Sequence, residues 1–292
     1  MPATLRTVWL RFAHPFAALL TLATCLGCEL LHGPSTATPA VANRLPALQP
    51  PRDSVCIDVV LIERPRGDSL LGRQLWDCVD QVQSLDPETR TSLRENGFRL
   101  GVVGTNPPHA LQQLLGSKPD FQYEAVAENA KQLAGHRFFV TAGSGMKIVA
   151  GPVNETCELE VDRDGGNQTL ALNDAECRFR VSVDQEQPGW VRLEFVPQIF
   201  HGAHQFRRTT DDTGWRFEDS QRVETFFQQR FSLTLGKGEM AIIASDGQPG
   251  RKLGHLYFTG AGINASREAS EESLEVERLL IVRLAGSTGT DL

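Results

Sequence analysis

The chain has 292 residues, 40% of them hydrophobic and 22% charged, with a formal net charge of −7. That length allows a signal segment plus one large or two small domains, and the composition is that of a globular protein with a sizeable core. The negative charge speaks against a broad nucleic-acid surface but leaves room for a local basic patch, so nucleic acid is not an expected partner.

Residues 1–28 read as an export address. Arg6 and Arg11 precede an apolar run of 11 residues, Phe16–Leu26, too short for a comfortable membrane span. Gly27 and Cys28 follow. This arrangement resembles a bacterial lipoprotein signal, although Cys25 and Leu26 depart from the residues usual at those places. The resemblance implies that Cys28 is lipidated, becomes the mature N-terminus and anchors the protein in the periplasm or at the outer membrane. The alternatives are an ordinary cleaved secretory signal or an uncleaved anchor. Residues 29–52, rich in Pro, Ala, Ser and Thr and without a period, read as a disordered tether.

Six cysteines are present, and four remain after the signal: Cys56, Cys78, Cys157 and Cys177. An even number in an oxidising compartment permits disulfides. Cys56, on an expected strand, and Cys78, on the helix after it, are the candidate pair. Cys157 and Cys177 fall on the first and third strands of an expected meander. Two strand spacings, roughly 9–10 Å, exceed the limit of about 7 Å between Cα atoms for a disulfide. None of the four has zinc-type spacing.

The chain then reads as α+β: a small α/β unit over 53–135, a larger, mostly antiparallel β domain over 136–285 (a sandwich or open barrel), and a disordered tail over 286–292. Val55–Glu63 is a strand apolar on both faces in its middle. Ser69–Val82 follows helical spacing, with Asp68 as cap. Asp86, Pro87 and Gly97 bracket a second helix. Phe98–Val103 is a strand and Pro107–Leu115 a third helix, which together imply a right-handed crossover. Short strands follow near 137–141, 146–150, 156–161, 168–172, 177–183 and 190–197, with a turn at Asn173–Glu176 between two of them. Residues 201–221 read as a long polar loop.

The segment Phe226–Ala244 reads as a β-hairpin. Phe227, Gln229, Phe231, Leu233 and Leu235 alternate with Gln228, Arg230, Ser232 and Thr234, Gly236-Lys237-Gly238 offers a turn, and Met240–Ala244 is continuously apolar. His255–Thr259 and Glu275–Leu284 complete the expected strands.

Chemistry-bearing patterns are sparse. His201 and His204 stand near Asp211 and Asp212, a set that could hold a divalent metal, but the spacing is not that of a zinc helix and a polar loop is the simpler reading. No phosphate-loop, dinucleotide or nucleophile-elbow motif is present, and no cofactor is expected. Trp215, in the polar segment, is the candidate ligand contact.

Three stretches resemble the β-domain of the secretin family: "VRLEFVPQI" (Val191–Ile199), "LTLGKGEMAIIA" (Leu233–Ala244) and "RLLIVRL" (Arg278–Leu284). The whole chain is similar to exported proteins common in planctomycete-type bacteria, which implies no activity. Together these readings imply a non-enzymatic, lipid-anchored envelope protein with a structural or assembly role, with envelope proteins or its own copies as partners. A cell-surface module for carbohydrate or protein is the alternative, and a metal-dependent exported hydrolase a third.

Overall fold

The structure, a computed structural model, describes residues 53–79, 85–116, 133–163, 166–211, 214–262 and 275–287. The signal segment, Cys28 and the tether lie outside the described residues.

One sheet holds β1 (Ser54–Pro65), β2 (Phe98–Val103), β3 (Leu133–Thr141), β10 (Met240–Ser245) and β12 (Glu275–Ser287), in the order β2-β10-β12-β1-β3. The short β11 (Thr259–Ala261) pairs with β12. A second sheet holds β4 (Gly145–Val149), β6 (Gly166–Gln187), β7 (Trp190–Asp211) and β8 (Gly214–Thr225) in that order. On its margins, β5 (Asn154–Arg163) pairs with β6, and β9 (Phe231–Gly236) pairs with β7. All these ladders are antiparallel. The protein is therefore α+β, mostly antiparallel, with two facing sheets and no closed barrel.

Side-chain patterning decides which sheet a strand joins. In β1, Val55, Ile57, Val59 and Leu61 face the second sheet, in one cluster with Phe179, Phe195, Phe231 and Tyr257. Val60 and Ile62 face the other way, against Leu75, Trp76, Val79, Leu111 and Leu114 of a helical layer. The first sheet is thus the middle of three layers, so its strands are apolar on both faces. The outer sheet has one buried face, as the exposed–buried alternation of β4 records.

The helical layer is built from α1 (Arg73–Trp76) and α3 (His109–Leu114). The expected long helix over 69–82 is, as far as residue 79, a single 3-10 turn, Ser69–Leu71, and the four-residue α1, divided at Gly72; residues 80–82 lie outside the described residues. Asp68 caps the turn, accepting from the Leu70 N–H at 2.9 Å. Helix α2 (Pro87–Glu95) follows its signals closely: the Asp86 carboxylate accepts from the Thr89 N–H at 2.8 Å, and Gly97 has φ +80°.

Several expectations change. The middle sheet spans both the 53–135 segment and the β-rich segment after it. β10 and β12 lie between β1 and β2, which run antiparallel to each other. No parallel crossover forms, because β1 fills both its edges with β12 and β3. Phe226–Ala244 is not a hairpin: Phe227–Gln229 is a 3-10 turn, β9 begins only at Phe231 and belongs to the outer sheet, and β10 belongs to the middle one. Its glycine turn is a corner between layers, tied to both, with Lys237 N–H donating to Gly189 O at 3.2 Å and Gly238 N–H to Leu284 O at 2.7 Å. The expected turn at Asn173–Glu176 is a kink inside the continuous β6, where Asp174 takes φ +50°. Residues 201–211 and 214–221 form most of a β7–β8 ribbon rather than a loop. His255–Thr259 falls mostly in α4 (Leu253–Phe258), not in a strand. Gly254 permits that placement, since a Cβ there would stand 2.1 Å from the Gly97 carbonyl oxygen. Finally, β12 runs on to Ser287 through pairing with β1, which takes the start of the expected tail into the fold.

Candidate functional site

The sequence candidates do not gather into one place. His201 sits where the β7–β8 ladder slips. Pairing passes from His201↔Arg222 to Gln205↔Ser220, and Gly202 takes φ +78°. His201 Nε2 is buried without a hydrogen-bond partner, 3.8 Å from Glu224 Oε1. Gln221 stiffens the kink by donating to Gly202 O at 3.1 Å. His204 is exposed. Asp211 pairs with Gly214 at the ribbon's end, six positions beyond Gln205, roughly 20 Å along an extended chain. Asp212 lies outside the described residues. Among the described residues no group of three or more His, Cys, Asp or Glu is placed to hold a metal. Trp215 lies in β8 opposite Thr210, one pair from the end of the ribbon.

The four cysteines are free thiols. Cys78 is exposed just after α1, whose Leu75 and Trp76 share a cluster with Val60 and Ile62. Those residues are four to six positions along β1 from Cys56, about 13–20 Å, so the expected Cys56–Cys78 bridge has no geometry to form in. Cys157 and Cys177 lie on paired strands, with Cys157 opposite Leu172 and Cys177 five residues further along β6. Burial pushes the Cys177 thiol well above its ordinary pKa, which makes it a core residue rather than a nucleophile.

Charge buried in the middle sheet is fully paired. Asp58 is held between its two register neighbours, Arg137 (Nε–Oδ1 2.7 Å) and Arg283 (Nη2–Oδ2 2.7 Å). Glu63 and Arg278, also register partners, meet at 2.8 Å, and Arg278 further donates to Thr259 O and Ala261 O. These groups lock strand register and leave little free valence for chemistry.

A different constellation was not singled out from sequence. Arg90 and Arg94, one helical turn apart on α2, and Arg99 on β2 line a pocket with Leu85, Leu93, Phe98 and Leu100. Among the described residues β2 is the edge strand of the middle sheet, and its alternate N–H groups have no strand partner on that side. Arg90 Nη2 donates to Leu85 O at 3.0 Å, while its Nε is buried without a partner. The Arg99 guanidinium lies over the Trp76 ring, 4.3 Å from its centroid. Burial, and then the neighbouring Arg94, lower the Arg99 pKa against the opposing pull of Asp77 and Asp246. The readable signal was the i, i+4 arginine pair in "RTSLRENGFR", with the third arginine just past the Gly97 helix stop.

The chain matches no family model, no curated protein and no solved structure.

Proposed function

We propose that the chain is an exported, lipid-anchored, non-enzymatic protein of the cell envelope that holds a protein partner through its β7–β8 ribbon. The observation that supports this reading is the ribbon's pairing. Beyond Phe200, β7 pairs with β8 alone among the described residues, and β8 has no second neighbour. A two-stranded arm with open edges is suited to strand addition, in which main-chain hydrogen bonds bind an extended segment. The Cys28 anchor places such an arm at a membrane surface. A single acyl chain anchors only marginally, so stable attachment takes the multiple chains of a fully processed lipoprotein cysteine. Kinship with secretin-type assemblies is the finer form of this reading, with self-association as its consequence.

The test is native mass, by light scattering on detergent-extracted protein after gentle crosslinking in cells. The comparison variant joins Gln205 to Ser220 through an Asn-Gly turn in place of residues 206–219. Wild type is expected as a discrete assembly heavier than the monomer, and the shortened protein as a monomer. A monomeric wild type, or an assembly indifferent to shortening, overturns the reading. Cys28→Ser is expected to move the protein from the membrane to the soluble fraction.

A second reading gives the same ribbon a glycan, and the place of Trp215 near its end favours it. Glycan binding that survives Trp215→Ala would count against it.

A further inference from the structure

We infer that the pocket between α2 and β2 is a binding site for one tetrahedral oxyanion, a phosphate or sulfate group. Arg90, Arg94 and Arg99 all contribute to its lining. Among the described residues no carboxylate lies within ion-pair distance of any of them, whereas Arg64, Arg137, Arg278 and Arg283 all have such partners. Arg90 is already oriented by its bond to Leu85 O, and its Nε is shielded from water with nothing to donate to. A buried donor left unmade carries a desolvation cost that an oxyanion would relieve. The Arg99 guanidinium lies on Trp76, on the helical-layer face of β2, close enough to Arg94 for a like-charge repulsion that an anion at this sheet edge would relieve. Guanidinium forks match the planar edges of phosphate and sulfate, and charge-assisted bonds of this kind are the strong ones.

Size narrows the ligand further. The cavity is about 30 Å³, room for about two water molecules, so it takes one edge of an oxyanion and no sugar ring or nucleobase. Leu85, Leu93, Phe98 and Leu100 supply an apolar wall that strengthens the electrostatics. Whatever carries the group must therefore stand outside and present it end-on. A lipid headgroup and a soluble phosphate satisfy that condition equally.

The experiment titrates the full chain with inorganic phosphate and inorganic sulfate, against chloride matched for ionic strength, by calorimetry. Arg94→Gln is the main variant, because Arg94 is exposed and its removal leaves the helix intact. Arg192→Gln, an exposed arginine of the outer sheet, controls for net charge. The expected result is saturable binding to wild type and to Arg192→Gln, weakened about tenfold or more in Arg94→Gln. Vesicles of phosphatidylcholine with and without phosphatidic acid form the second arm. Capture by phosphatidic acid that Arg94→Gln abolishes assigns the group to a lipid. Phosphate binding without vesicle capture assigns it to a soluble ligand, and either result supports the site. No saturable binding, or equal weakening in Arg94→Gln and Arg192→Gln, overturns it.

Discussion

β9 and β10 are neighbours in sequence, separated by three residues, and they live under different rules. In β9 the buried positions Phe231, Leu233 and Leu235 alternate with Ser232 and the exposed Thr234. In β10 the residues Met240 to Ala244 are all buried. The first strand has one wet face because it belongs to the outer sheet. The second has none, because helices cover the far side of the middle sheet. An alternating strand followed by a continuous one marks a change of layer here, and the Gly236–Gly238 corner carries the chain across. The same contrast extends to charge. The middle sheet buries Glu63 and Arg278 as a pair, while Arg192 and Asp184, one of several ion pairs on the outer sheet, stand 3.8 Å apart and half exposed.

Polar substitution should separate the two strands most sharply. Ile242→Asn in β10 removes a fully buried side chain and strands an amide between two apolar layers. The expected loss is roughly 4–6 kcal/mol, measured by urea unfolding. Thr234→Lys in β9 should stay within about 0.5 kcal/mol of wild type. Comparable losses at the two positions would mean that both faces of β9 are covered after all.

Breaking the ion pairs should sharpen the same contrast at a smaller scale. Arg278→Met takes away the guanidinium that meets the buried Glu63 carboxylate at 2.8 Å, an expected cost of about 3–5 kcal/mol. Adding Glu63→Leu should recover most of that, since an apolar pair of similar volume suits the site. Arg192→Gln in the outer sheet should cost less than about 0.5 kcal/mol. A double variant no better than Arg278→Met alone would show that packing against Gly151, rather than charge, sets the cost; a Cβ there would stand 3.2 Å from Arg278 Nη1.

Legibility followed the number of signals that agree. Helix α2 was readable because Asp86, Pro87 and Gly97 each mark an end. The centres of β1 and β12 were readable because a strand buried on both faces has no polar interruptions. The β7–β8 ribbon was not, because its polar composition carries no apolar period and reads as a loop. Helix α4 was missed because six residues are too few to separate a helical period from a strand period. What fixes it is the approach of Gly254 to Gly97, a contact between segments distant in sequence. The arginine pocket was hidden for a similar reason. Arg90 and Arg94 are an ordinary helical surface until the turn at Gly97 brings the chain back as β2, whose first residues complete the lining.

The smallest expected effect concerns the place where the layers are bracketed together. Helix α4 carries Tyr257 and Phe258 into the core between the sheets, and Tyr257 Oη lies 2.8 Å from the carbonyl oxygens of both Arg178 and Gln198. His255, on the same helix, has a buried Nδ1 without a partner. Burial lowers its pKa, Arg66 adds to the effect, and Glu275 and Asp246 oppose it. The unfolded chain then binds a proton at His255 more readily than the folded one does. The stability linked to this residue is therefore complete above the unfolded value of about 6.5 and falls as pH drops through it toward the folded pKa. Urea midpoints between about pH 7.5 and about pH 5.5 should decline more steeply for wild type than for His255→Gln. The difference should be modest, because the imidazole is partly solvated. Equal slopes would mean that the neighbouring carboxylates cancel the burial, and that acid loosens the bracket between the sheets at some other group.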